Sequence, residues 1–301
     1  MTGLACASFV LANSILSSPV LSAPVPGAQD PSLLNPQGPI SGAEMTILWD
    51  SMAIMLVIIV PTIVATLGFV WWYRASNTKA RYLPDWAYSG RVELVVWAIP
   101  ILVICLLGGV AWVSSHELDP AKPLASKTPA VQVQVVSLDW KWLFIYPGQG
   151  VASVNQLVIP AGTPVHLSLT SGSVLNAFSV PQLGGMLYTM NGMSTQLNLQ
   201  ADRPGIYYGQ SAHFSGDGFS DMNFQVQAVP AGQFAAWAAQ ARGAPMALDK
   251  AAYQQLAVQS RVAQPITYRL AEPNLYQELV DQTIPPAAGP SASQSKPQTE
   301  H

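Results

Sequence analysis

Gly209-Gln-Ser-Ala-His-Phe-Ser-Gly-Asp-Gly-Phe-Ser-Asp-Met222 lies between two short strand-like patterns. Ile206 to Tyr208 precede it, and Phe224 and Val226, alternating with Gln225 and Gln227, follow it. A two-residue period puts successive side chains on opposite faces of a strand, so the stretch reads as the connection of a β-hairpin. The same pattern recurs upstream. Val131, Val133 and Val135 alternate with Gln132 and Gln134, and Val165, Leu167 and Leu169 alternate with His166 and Ser168. Gln156 to Ile159 and the pair Leu197 and Leu199 are further short apolar segments. The aromatic run Asp139-Trp-Lys-Trp-Leu-Phe-Ile-Tyr146 ends at Pro147-Gly148. Several short strands punctuated by turns predict a β-sandwich or barrel over residues 125–230.

Outside that domain the composition changes. Half of the 301 residues are hydrophobic and only 10% are charged, against roughly 25% in ordinary soluble domains. Ser51 to Tyr73 carries no charge, and neither does Leu94 to Ser115. Each is long enough to cross a hydrocarbon core, which takes about 20 apolar residues. Trp71, Trp72 and Tyr73 end the first run, while Trp97 and Trp112 lie near the ends of the second, as interfacial anchors do. Residues 43–116 are therefore expected as a transmembrane hairpin, with helices at about 47–73 and 93–115. The intervening loop carries Arg74, Lys79, Arg81 and Arg91 against Asp85. The positive-inside rule puts that loop in the cytoplasm, and both termini and the β domain outside.

Residues 1–42 read as a signal and linker region. Gly3-Leu-Ala-Cys6 resembles a lipoprotein acylation box, but only five residues precede Cys6. Lipidation there and a plain thiol stand as alternatives. Cys105 falls within the second apolar run and packs as a small hydrophobe. Residues 231–284 read as a helical, partly aromatic segment with Phe234, Trp237 and Tyr253. Residues 285–301 have the Pro, Ala, Ser and Gln content of a disordered tail. Net charge is −3 and there is no basic tract, so nucleic acid is not an expected partner.

Two membrane helices followed by such a β domain resemble subunit II of the haem-copper terminal oxidases, over about residues 40–230. The resemblance implies a cupredoxin-like fold. In the cytochrome c oxidase branch the last hairpin carries Cys-x-x-x-Cys-x-x-x-His-x-x-Met, and an earlier loop adds a second His, to hold two coppers. Here Ser211 and Ser215 stand at the cysteine positions, Phe219 at the histidine and His213 at an intervening glutamate. Asn176, in Ser173 to Pro181, stands where the other histidine belongs, and only Met222 keeps its type. Hydroxyl, amide and phenyl groups do not replace thiolate and imidazole as copper ligands. No metal or other cofactor is therefore expected in this chain.

That loss makes the sequence similar to subunit II of the ubiquinol oxidase branch, of the cytochrome bo type. Trp71 to Asn77, Val92 to Pro100, Ser137 to Pro147 and Gly216 to Met222 carry this resemblance jointly. It implies a proton-translocating complex that oxidises ubiquinol and reduces oxygen to water in a bacterial inner membrane. Haems, copper and the quinol site would belong to subunit I, with subunits III and IV and membrane lipid as further partners. This chain would have no catalytic residues of its own. Glu93, the acid at the cytoplasmic start of the second helix, matches a proton-entry position. It also reads as an interfacial carboxylate near Arg91 and a helix N-terminus. Trp140 and Trp142 match an aromatic electron relay, but with no copper behind them a packing role is expected. Two other readings remain: a membrane-anchored binding or structural module, and a degenerate cytochrome c oxidase subunit.

Overall fold

The computed structural model describes residues 33–287 and 289, except 82, 84, 86, 262 and 263. Cys6 and most of the tail lie outside them. Two helices open the described chain, α1 (Pro39–Trp72) and α2 (Gly90–Glu117). The first begins at Pro39, not near 47. Proline at the first helical position is preset for the turn and loses no needed hydrogen bond. The Ser41 hydroxyl then fixes the start by donating to the Gln182 carbonyl, 2.7 Å away, in the β domain. At about 1.5 Å per residue this helix is some 50 Å long. That is long enough to cross a bilayer of about 30 Å with several turns to spare. Both helices are apolar enough to span, and no residue in their most apolar stretches is buried. Leu67, Val70, Leu102 and Ile104 are among the side chains they leave exposed. Such surface is stable only against lipid or a partner.

The β domain is two packed sheets. Strands β1 (Val131–Leu138), β2 (Lys141–Tyr146), β3 (Val151–Val154), β5 (Val165–Ser171) and β8 (Thr195–Leu199) belong to the first. Strands β4 (Gln156–Pro160), β6 (Asn176–Val180), β7 (Gly184–Thr189), β9 (Gly205–Ser211) and β10 (Asn223–Val229) make the second, in the order β4-β10-β9-β6-β7. The alternating segments read from sequence all become strands. Three strands came without that signal. β3 is one; β6 lies inside the stretch expected as a loop; and β7 contains Gly184 and Gly185, which dilute its pattern.

Residues 231–284 form α3 (Ala231–Arg242), α4 (Lys250–Ala257) and α5 (Leu275–Val280), and also two strands, β11 (Ala247–Leu248) and β12 (Ile266–Leu270). These strands extend the first sheet to β11-β12-β3-β2-β1-β5-β8. From β11 onward the segment is thus a third layer, while α3 adds Phe234 and Ala241 to the core between the sheets. Along β2, Trp142, Phe144 and Tyr146 face the core between the sheets. Leu143 and Ile145 face the other way, against Leu248, Tyr253, Leu256, Tyr268 and Leu279. This is why the aromatic run is buried on both faces, as strands covered on both sides are.

Candidate functional site

The hairpin connection between β9 and β10 closes one end of the sandwich. Ser211 ends β9, and its amide donates to the Met222 carbonyl at 3.0 Å. Asn176 opens β6, on the strand that pairs with the end of β9. The Ser211 hydroxyl donates to Asn176 Oδ1 at 3.2 Å and lies 3.3 Å from the His213 carbonyl. Asn176 Nδ2 donates to the Val174 carbonyl at 3.3 Å, and its own carbonyl accepts from Thr189 Oγ1 at 3.3 Å. Ser215 Oγ points at Met222 Sδ, 3.9 Å away. All four residues are nearly closed to solvent: Asn176 is 0% exposed, Met222 1%, Ser211 5% and Ser215 7%.

Asn176, Ser211, Ser215 and Met222 therefore come together at this end of the sandwich. The other two positions do not join them. His213 is exposed and meets Tyr188 edge-on, with ring centroids 5.9 Å apart. Phe219 opens a short 3-10 turn and packs edge-on against Phe214 at 5.7 Å. A metal site built on His213 and Met222 does not fit, since the imidazole is outside and the thioether is in the core. Two hydroxyls, an amide and one thioether do not fit a copper centre either, and the polar groups already hydrogen-bond to their neighbours. Among the described residues no three His, Cys, Asp or Glu side chains cluster for a metal.

Trp142 is 0% exposed and packs between Phe178 and Phe224, with ring centroids 5.4 and 5.5 Å away. Trp140 is placed differently. It is in the β1–β2 turn, where Leu138 pairs with Lys141, and it has φ +66°. That region suits glycine, and a bulky residue there costs on the order of 1–2 kcal/mol. Tertiary contacts hold it. The Trp140 indole N–H donates to the Ser215 carbonyl at 3.1 Å. The ring lies so close to Gly218 that any Cβ there would fall inside it.

Lys141, beside Trp140, is a functional-looking residue that the sequence pattern does not single out. It is 0% exposed. Its ammonium donates to the carbonyls of Leu256 and Val258, both at 2.7 Å, and to Ser260 Oγ at 2.6 Å. These are all three of its donors, and they cap the C-terminal end of α4 with positive charge. Burial pulls the lysine below its ordinary pKa, partly opposed by nearby Asp139. The sequence signal was a lone charge inside a run of aromatic and aliphatic residues. Glu93 is elsewhere, in the exposed first turn of α2. Since α1 leaves the β domain and α2 returns to it, Glu93 is at the far end of the hairpin.

Residues 133–229 match the family model for cytochrome c oxidase subunit II, periplasmic domain. The chain is 45% identical over 247 residues to the cytochrome bo(3) ubiquinol oxidase subunit 2 of Pseudomonas aeruginosa, covering 82% of this chain and 75% of that one. It is 45% identical over 251 residues to the ubiquinol oxidase subunit 2 of Acetobacter aceti, covering 82% and 81%. The quinol oxidase subunit 2 of Bacillus cereus is 36% identical over 227 residues, covering 75% and 78%. With the hairpin, the two-sheet domain and these relatives together, the chain belongs to the ubiquinol oxidase subunit 2 family of haem-copper oxidases.

Proposed function

We propose that the chain is the membrane-anchored second subunit of a terminal oxidase that oxidises ubiquinol, reduces oxygen to water and moves protons outward. It has no complete active site of its own. Haems, copper and the quinol site belong to subunit I, against which the exposed faces of α1 and α2 pack, with subunits III and IV completing the complex. The β domain and both termini lie on the periplasmic side of a bacterial inner membrane. Glu93 then stands at the cytoplasmic face, where a carboxylate can collect protons for subunit I. Trp140 and Trp142 serve packing, since the groups behind them, Ser215 and the Phe178–Phe224 pair, accept no electrons.

One observation carries this reading: the buried Asn176, Ser211, Ser215 and Met222 form a mutually hydrogen-bonded plug where a soluble electron donor would need a metal port. An oxidase lacking that port requires a donor inside the membrane. The test is oxygen uptake by the complex purified through this chain, with ubiquinol and separately with reduced cytochrome c, alongside copper analysis. Uptake with ubiquinol alone is expected, with no copper retained by this chain once separated from subunit I. Uptake with cytochrome c, or copper retained by this chain, would overturn the reading. Purification without any haem protein would replace it with a membrane-anchored structural module.

A further inference from the structure

The segment after α4 passes over the β1–β2 turn and reaches the loop of the plugged site. Lys141 binds the end of α4 through Leu256 and the start of this segment through Val258 and Ser260. The next residue, Arg261, reaches the loop itself. Its guanidinium pairs with Asp221 at 3.0 Å and donates to the Asp217 carbonyl at 3.1 Å. It also lies over the Trp140 ring, 5.9 Å from the centroid. Trp140 in turn holds Ser215 and fills the space over Gly218. Two adjacent residues of one turn and one arginine thus tie residues 215–221 to a segment more than thirty positions later in the chain.

We infer that residues 256–261 form a latch, with Arg261 as its positioning residue, that cross-links the 215–221 loop in the absence of any metal. A loop of this composition has little to order it locally. Gly216 and Gly218 widen its backbone freedom, and a 3-10 turn of three residues is its one regular element. In a metal-bearing relative, bonds from two strands and a loop to a common ion would supply the cross-link. Here the Ser211–Asn176 bond fastens only the N-terminal end of the connection. Arg261 fastens the other end at two points, a carbonyl and a carboxylate, which the rigid guanidinium fork reaches together through two different nitrogens. The left-handed conformation of Trp140 follows from the same contact set, since it aims the indole between Gly218 and Arg261. The inference concerns order within this chain and holds whether or not the complex oxidises quinol.

Hydrogen–deuterium exchange on the assembled complex tests it. Arg261→Ala should raise exchange of the amides in 213–222 by roughly tenfold, the size expected for losing one charge-assisted hydrogen bond and one exposed ion pair. Exchange in β1, β2 and β5 should stay unchanged. Arg261→Lys should restore part of the protection, because it keeps the pair with Asp221 and loses the second contact. Asp221→Asn, which leaves the arginine in place, should give a smaller rise in the same peptide and serves if Arg261→Ala does not assemble. In about 0.5 M salt, where screening acts within about 4 Å, wild type should move towards Asp221→Asn. Unchanged exchange in 213–222 for both Arg261→Ala and Asp221→Asn would overturn the latch. So would a rise spread evenly over the β domain, since that reports a general loss of stability.

Discussion

Lys141 shows how far a single residue can depart from its sequence signal. It sits inside Asp139-Trp-Lys-Trp-Leu-Phe-Ile-Tyr146 and is closed to solvent, yet its three donors all have acceptors. Lys141→Met keeps the volume but takes the donor from the buried Leu256 carbonyl, while exposed Val258 and Ser260 can turn to water. The expected cost is about 1–3 kcal/mol, read as a lower unfolding temperature of the purified complex. The sign of its pH dependence is also set. The folded pKa lies below the ordinary 10.5. Between the two values the unfolded chain binds more protons, so this residue's contribution to stability rises with pH through that window. Below the folded pKa its penalty is fully present; above 10.5 it is gone. The stability difference between wild type and Lys141→Met should therefore widen in favour of wild type as pH climbs toward 10.5. A flat difference over that range would mean that the lysine is not shifted.

At the scale of elements, the third layer is the part that pattern reading described least well. Helices α3, α4 and α5 lie in the segment expected to be helical, and Asp249 caps α4 by accepting from the Ala252 amide at 2.8 Å. Strands β11 and β12 carry no such mark: one is two residues long, and Ile266–Leu270 alternates too briefly to stand out. They form because the edge of β3 offers a ladder, and β12 takes it antiparallel from Ile266 opposite Val154 to Arg269 opposite Val151. The layer covers Val136, Leu138, Leu143, Ile145, Ala152 and Val154. Each larger side chain of that set contributes about 1.5–3 kcal/mol when buried. Their sum is comparable with the whole net stability of a domain, about 5–15 kcal/mol. Truncation after Gly243 should therefore leave residues 131–229 sensitive to protease in membranes and lower the amount of chain that accumulates. A protease-resistant 131–229 fragment at wild-type level would show the two-sheet core to be self-sufficient.

Across the whole molecule, α1 is not a tether but a strut. Its first turns are fastened to the β6–β7 turn. Ser41 donates to the Gln182 carbonyl, and the Glu44 carboxylate accepts the Gly185 N–H at 3.1 Å. Ile40 packs where a side chain at Gly184 would stand, and Gly184 has φ +131°, which other residues rarely adopt. The β domain is thereby held at one end of the hairpin, and Glu93, in the first turn of α2, is at the other, about 50 Å away. A proton-collecting role for Glu93 belongs to this scale, because it depends on the side of the membrane and on the partner subunit. Glu93→Gln in the assembled oxidase should lower quinol-driven oxygen uptake severalfold, with haem content unchanged. Wild-type turnover in that variant would leave Glu93 as an interfacial carboxylate only.

The sequence alone determined the membrane hairpin, the alternating strands and the identity of the side chains at the plugged site. Those features rest on local chemistry: uncharged runs long enough for a bilayer, a two-residue period, and ligand types read one position at a time. What only the tertiary structure decided is which of those positions meet. Asn176, Ser211, Ser215 and Met222 converge because β6 pairs with β9 and the connection folds back on itself, while His213 and Phe219 turn away. Lys141 and Arg261 acquire their partners from segments far along the chain, and β11 and β12 exist because a sheet edge was waiting for them. Such contacts have no local signature, since each half is ordinary until the fold brings the other half to it.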